Sequence, residues 1–202
     1  MMERQGRRER KKSKTKASII QAAIQLMMER GYQGTTVADI AEKADVALST
    51  VFAHFPSKDD IVFHFYPALQ VSFSDALEKR APGQSTLDAF QSWVEKELAS
   101  FVTPTNRELQ TLRRIIKSEE RLLAQEHYRL AYFEKAFAAS IAKDLGDAPE
   151  DLRPRILAGA ALGAMMAMLE NLRRGDRGRV RRFPIDLVIG MLEAGIEWTA
   201  GR

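Results

Sequence analysis

The sequence predicts an all-α protein of about nine helices. Three observations predict it. Apolar residues recur at three- and four-residue spacings nearly throughout the chain. No stretch alternates apolar and polar residues as a half-buried strand does. The helical stretches are punctuated by Gly, Pro and cap-forming Ser, Thr and Asp residues. No internal repeat is visible. With 202 residues, 45% of them hydrophobic, the chain can build one ordinary core or two small ones.

Residues 17–30 place Ile19, Ile20, Ala23, Ile24, Met27 and Met28 at helical spacing, and Gly31 follows as a residue able to end a helix in the left-handed region. Thr36-Val-Ala-Asp39 reads as a capping box: the Thr hydroxyl accepts from an amide in the first turn, and Asp39 answers the N-cap amide. The short helix it starts turns Val37, Ile40, Ala41 and Ala44 inward. A turn at Asp45-Val46 leads to a second short helix ending near Phe55, with Val51 and Phe55 inside. Ser57, followed by Asp59 and Asp60, starts the next helix. The helical pattern continues over 58–80, and Pro67 within it predicts a kink or break. Ala81-Pro82-Gly83 is a loop. Residues 86–101 carry Leu87, Phe90, Val94, Leu98 and Phe101 on one face, and 106–117 and 119–145 form two more helices. An apolar helix runs from Asp151 to Arg174 after a loop at Gly146. A basic loop leads to Arg182, and the last helix follows Pro184.

Charge and composition narrow the function classes. Residues 1–16 hold eight basic against two acidic residues, a net of +6, so the rest of a chain that totals +4 carries −2. Such a run suits a nucleic-acid contact as well as a solvated tail; an anionic membrane surface fits less, because the segment has no apolar face to insert. The absence of cysteine excludes disulfides, thiolate nucleophiles and Cys-based metal sites, and suits a reducing cytoplasm. The basic start lacks the apolar stretch of a secretory signal, and the longest uncharged apolar run, Ile156–Leu169, is too short to span a bilayer. The histidines are His54, His64 and His127, and none has a partner four residues on in a metal-like spacing. There is no Gly-rich phosphate loop, nucleophile elbow or zinc signature. The expectation is a protein that is not an enzyme and holds neither a metal nor a cofactor.

The informative segment is Gly31 to Lys58. Two short amphipathic helices joined by a tight turn leave the second exposed along one side, and a helix of that size fits the DNA major groove. Thr36, Ser49 and Thr50 sit near helix starts, where hydroxyls and amides can hold phosphates.

Here the chain resembles the TetR family of repressors. The ordered pattern Ala22-Ala23, Gly31-Tyr32, Thr36-Val37, Asp39-Ile40-Ala41, Thr50, His54-Phe55 and Ser57-Lys58 carries the resemblance, over about residues 16–62. It implies a basic flexible arm over 1–15, a helix-turn-helix domain over 16–57, and a helical ligand-binding and dimerisation domain over 58–202. It also implies that Thr36, Thr50, Phe52, His54 and Lys58 contact the DNA backbone. Arg10 and Lys12 of the arm, and Lys16 just after it, join that set on charge. Three departures from the family pattern matter. Asp45 replaces the usual turn glycine but tolerates positive φ. Ala47 replaces a serine, removing an N-cap hydroxyl. Phe52 replaces a tyrosine, removing a phenol. The exposed positions of the second helix are then Ala47, Leu48, Ser49, Phe52 and Ala53, with no Arg, Asn or Gln for bidentate base contacts. Readout is expected to lean on apolar contacts with thymine methyls, with the arm supplying affinity from an adjacent minor groove.

The resemblance further implies an inducer pocket. Its candidate residues are Phe65, Phe90, Trp93, Tyr128, Tyr132, Met165 and Met168, with Gln110, Arg113 and His127 as polar contacts; for any single aromatic or methionine a plain core role is the stronger reading. Gly159, Gly163 and Ala167 form a small-residue stripe that suits intramolecular packing or a helix of another subunit. The resemblance favours a homodimer interface there, with Leu187, Met191 and Trp198 of the last helix. The implied whole is a cytoplasmic, nucleoid-associated repressor that a small hydrophobic or aromatic effector releases from a palindromic double-stranded operator. An activator, or a lipid carrier with a basic arm, fits the same composition.

Overall fold

The computed structural model describes residues 2–102, 107–171 and 185–200, with the side chains of 8–97, 108–167 and 185–197. These residues form ten helices: α1 (Met2–Arg30), α2 (Val37–Lys43), α3 (Leu48–His54), α4 (Lys58–Val62), α5 (Tyr66–Glu78), α6 (Thr86–Val102), α7 (Arg107–Ser118), α8 (Glu120–Leu145), α9 (Leu152–Asn171) and α10 (Ile185–Ala200). No strand occurs among the described residues. The count exceeds the expected nine because the 58–80 pattern divides. The chain turns through residues 63–65, and α5 restarts with Pro67 in its first turn, where the missing proline N–H leaves no intrahelical bond unmade. Pro67 thus helps to start a helix rather than kinking one.

A second difference lies at the N-terminal end. The segment expected as a flexible arm continues α1 back to Met2. Its Arg, Lys, Glu and Gln residues are good helix formers, and the helix they extend is already anchored by packing.

The chain divides into two compact units, Met1–Tyr66 with Thr105–Glu126, and Pro67–Pro104 with His127–Arg202. In the first, α1 packs on α2, α4 and α7, α2 on α3, and α4 on α7. Ile19, Ala23, Leu26 and Met27 of α1 meet Ile40, Val51, Ile61 and Ile116 in a closed core. Leu26 belongs to this stripe and Met28, 51% exposed, does not; at 100° per residue Leu26 lies on the Ile19–Ala23 line and Met28 rotates off it.

In the second unit, α5, α6 and the C-terminal part of α8 enclose an aromatic cluster. The Phe73 ring sits 4.7 Å from Trp93, 5.3 Å from Phe133 and 6.1 Å from Phe137, and Phe90 sits 4.5 Å from Phe137. Edge and tilted contacts at these separations add to the large apolar burial of each ring. A polar clamp closes one end. Arg80 Nη1 donates to both oxygens of Asp144 at 2.9 Å, the Thr86 amide donates to Asp144 at 2.7 Å, and Thr86 shares a buried hydrogen bond with Ser140 at 2.9 Å. The helix pair α9 and α10 packs together, with α10 also against α6.

Candidate nucleic-acid interface

The α2-turn-α3 pair is built by local chemistry. Gly31, at φ 76°, ends α1. Thr36 then caps α2: its hydroxyl accepts from the Asp39 amide at 3.1 Å, while its own amide donates to the Asp39 carboxylate at 2.8 Å. The Thr36 amide, and next the Thr36 hydroxyl, which donates to the same carboxylate at 2.7 Å, hold the Asp39 carboxyl below its ordinary range. Asp45 takes φ 52° in the turn, the conformation that the family's glycine would supply. Ala47 provides no side-chain cap for α3, so that helix is held instead by Val51, fully buried, and by Phe55.

That anchoring leaves the other side of α3 in solvent. Leu48 is 45% and Phe52 47% exposed, and Ala47, Ser49 and Ala53 are exposed with them. Leu48 and Phe52 are four residues apart and therefore lie on one stripe. Thr50 and His54 are half-buried beside it. Arg8, Arg10, Lys11, Lys12, Lys14 and Lys16 of α1 are all exposed. The two helices are electrostatically joined at one point. Lys16 Nζ lies 5.8 Å from the centre of the Phe55 ring, and burial together with the charges of Lys12 and Lys16 pushes the His54 imidazole below its ordinary pKa. This is an uncovered apolar stripe with cationic neighbours, suited to a polyanion with apolar groups in its grooves.

Lys58 has a different place from the one expected. Its ammonium donates to the carbonyls of Tyr32 at 2.7 Å and Thr35 at 2.8 Å, and sits 3.9 Å from the centre of the Tyr32 ring. Its immediate role is to tie α4 to the loop before α2. The residue beside it does more than start a helix. Asp59 is only 4% exposed, and its carboxylate accepts from the Tyr32 hydroxyl, from Arg121 and, at 2.7 Å, from Gln125. Burial acts to raise the Asp59 pKa, but the hydrogen bonds from Tyr32 and Gln125 and the Arg121 charge outweigh it and hold the carboxyl low. The Tyr32 phenol is pushed up by burial and by that carboxylate. Gln33 to Glu119 (2.8 Å), His64 to Glu108 (3.2 Å) and Tyr66 to Glu126 (3.0 Å) add further links within the same unit. The sequence reading missed this network because its bonded members are as much as 86 residues apart.

The remaining expected positions fall in both units. Phe65, Gln110 and Arg113 belong to the first; Phe65 stacks on Tyr66, Gln110 is exposed and Arg113 half-buried. Phe90, Trp93 and Met165 are buried in the second, with Trp93 Nε1 donating to Ser72 at 3.1 Å. Tyr132 is partly exposed and bonded to Ser74 at 2.7 Å, His127 is exposed, and Tyr128 is 84% exposed and enclosed by nothing. A cleft of about 350 Å³ in this unit is lined by other residues, among them Thr86, Leu87, Ile141, Asp144 and Glu197. On α9 and α10, Gly159, Gly163, Ala167, Leu187 and Met191 are all exposed. A Cβ built at Gly159, Gly163 or Gly190 would meet no atom within 4 Å, so among the described residues nothing packs on this stripe. The side chains of Met168 and Trp198 and the basic loop from Arg173 to Arg182 lie outside the described residues. No helix among the described residues is long and apolar enough to cross a membrane.

Comparison with known proteins agrees with this geometry. Residues 19–65 match the family described as bacterial regulatory proteins, tetR family, and residues 84–183 match the MftR C-terminal domain. The HTH-type transcriptional regulator TcmR of Streptomyces glaucescens is 31% identical over 161 residues, covering 75% of this chain and 70% of that protein. Among solved structures, NalD, the secondary repressor of the MexAB-OprM multidrug efflux pump in Pseudomonas aeruginosa, superposes with a TM-score of 0.65 at 18% identity, covering 91% of this chain and 97% of that one. FadR from Bacillus subtilis, solved in complex with stearoyl-CoA, does so at 0.59 and 18%, covering 89% and 97%. Matched in sequence across both its helix-turn-helix and its C-terminal region, the chain belongs to the TetR family of DNA-binding transcriptional regulators.

Proposed function

We infer that the protein is a homodimeric repressor, held on a palindromic operator by residues 1–57 and released when a small hydrophobic effector enters the helical domain over 58–202. The observation that carries the DNA half is the exposed Leu48–Phe52 stripe of α3 beside the cationic residues of α1. Base edges and groove methyls are the groups such a stripe can meet, and phosphates are what the cations neutralise. Arg10, Lys12, Lys16, Thr36, Ser49, Thr50 and His54 are the proposed positioning contacts. A DNA partner places this work in the cytoplasm, and nothing in the sequence calls for catalysis.

Support for the dimer comes from the second exposed face. Ile156, Gly159 and Gly163 of α9 and Leu187 and Met191 of α10 are apolar positions that no described residue covers. A second copy, related by a two-fold axis, covers this face with its own. Two reading helices then fall about 34–36 Å apart, one turn of DNA, and the operator is symmetric.

The effector is read as hydrophobic or aromatic because the second unit is lined inside by Phe73, Phe90, Trp93, Phe133 and Phe137, with Met165 buried as well. Its signal needs an element with two positions. The candidate is α4, held by Asp59 to Arg121 and Gln125 of α8, a helix that continues into the second unit. Linkage requires that operator DNA lower effector affinity by the same factor as effector lowers operator affinity.

The test is enrichment of bound sequences from random duplex DNA, followed by titration of the selected duplex with and without compounds that co-purify with the protein. The expected result is a symmetric consensus and release by one hydrophobic compound. Absence of any consensus contradicts the operator reading, and a consensus that no co-purified compound releases contradicts the effector reading.

A further inference from the structure

We propose that α3 selects its operator by contact of Leu48 and Phe52 with thymine C5-methyl groups, so that the half-site opposite α3 is specified by T·A pairs. The inference rests on the DNA-binding reading above and goes beyond it to the bases read.

The side chains of α3 leave few alternatives. Each base pair shows the major groove a pattern of acceptors, donors and, for thymine, a methyl group. Guanine is selected by paired donors from Arg or Lys, and adenine by the amide of Asn or Gln. Residues 47–53 contain none of these. Ser49 is the one exposed side chain among them with a hydrogen-bonding group, and a lone hydroxyl both donates and accepts, so it discriminates weakly. What the exposed side offers in quantity is apolar area: Leu48 at 45% and Phe52 at 47% exposure, flanked by Ala47 and Ala53. A thymine methyl is the apolar group in the groove that such a surface can bury.

The occupant is a duplex and not an apolar partner protein because of what surrounds the stripe. Lys12 and Lys16 bear on His54 at the end of α3, and Arg8, Lys11 and Lys14 are exposed farther along α1. An apolar stripe bordered by cations matches a groove bordered by phosphates. Two small alanines beside the bulky pair let α3 sit deep, where a methyl is reached. A Phe at position 52 also removes a hydroxyl that would hold the ring at a phosphate, leaving it free to turn towards the bases.

The experiment replaces thymine by deoxyuridine, which deletes the methyl and keeps the base pair. Each conserved thymine of the selected operator is substituted singly, and affinity of the full-length protein is measured by fluorescence anisotropy at fixed salt. A buried methyl is worth about fourfold in affinity, so a loss of roughly that size is expected at two thymines per half-site. In Leu48→Ala the penalty disappears at one of them, and in Phe52→Ala at the other. Both side chains are exposed, so the variants keep the wild-type fold, checked by helicity and melting. Wild-type protein that binds uracil and thymine operators equally overturns the proposal, as does a consensus with G·C pairs at the positions opposite α3; in both cases operator binding itself still stands. Failure to obtain any consensus overturns the operator reading and this inference together.

Discussion

Two faces of this chain leave large apolar side chains in water, and their surroundings separate their uses. On α3 the stripe is small, Leu48 and Phe52, and its neighbours are cationic. On α9 and α10 the surface is broader. It runs through Ile156, Gly159 and Gly163 and through Leu187 and Met191, which are 65% and 67% exposed, within stretches (156–169 and 187–192) that carry no charge. Apolar area bordered by charge suits a polyelectrolyte, whereas apolar area with small residues and no charge suits the same surface on another copy. Exposure alone does not distinguish these uses; the charge around the exposed area does.

The largest expected effect breaks the second face. Gly163→Glu places a carboxylate where a Cβ meets nothing within 4 Å, so the subunit folds unchanged. Across a two-fold axis the substitution meets itself, and like charges there cost several kcal/mol. The expected outcome is a monomer by light scattering and a loss of about 100-fold or more in operator affinity. A dimer that persists places the interface elsewhere.

Next comes the cationic border of the first face. Deleting residues 1–14 removes seven basic side chains. Each lost phosphate contact makes the slope of log affinity against log salt shallower by about 0.9. A change corresponding to two or more contacts is expected, with weaker binding at 0.15 M salt; an unchanged slope removes the N-terminal segment from the interface.

In the same unit as the first face, Asp59→Asn is expected to cost about 1–3 kcal/mol of stability by weakening the bonds from Arg121, Tyr32 and Gln125. The sign of the pH dependence follows from the lowered folded pKa. The wild-type contribution is present above the unfolded carboxyl value, about 3.9, and is lost as pH falls through the folded value. Urea unfolding between pH 3 and 6 therefore shows a steeper acid limb for the wild type than for the variant, and parallel limbs argue against the network. The smallest effect belongs to His54. Burial and the charges of Lys12 and Lys16 hold its imidazole below the ordinary value of about 6.5, so only acidification past that lowered value adds a positive charge at the interface. Operator affinity should rise with acidification in the wild type, later than for an ordinary histidine, and stay flatter in His54→Asn.

How much of this was legible in the sequence follows from the reach of each interaction. The capping box of Thr36 and Asp39, the left-handed Gly31 and the turn at Asp45 need only neighbours three or four residues away, and each is found where its residue type implies. The exposed side of α3 was legible for the same reason. Position in the fold was harder. Tyr128 and Phe133 look equivalent as aromatics on one long helix, yet Tyr128 is 84% exposed and Phe133 is buried against Phe73. Lys58 reads as a surface cation, but its partners are carbonyls 23 and 26 residues earlier. Asp59 reads as a first-turn acid, but it is buried and its partners lie 27, 62 and 66 residues away. Single-sequence patterns contain no information at those separations.

The most direct measurement is a hydroxyl-radical footprint of the full-length protein on its selected operator. The account predicts two protected patches related by a two-fold axis and one helical turn apart, each flanking a major groove lined with thymines. A single protected patch, or protection without symmetry, would contradict it.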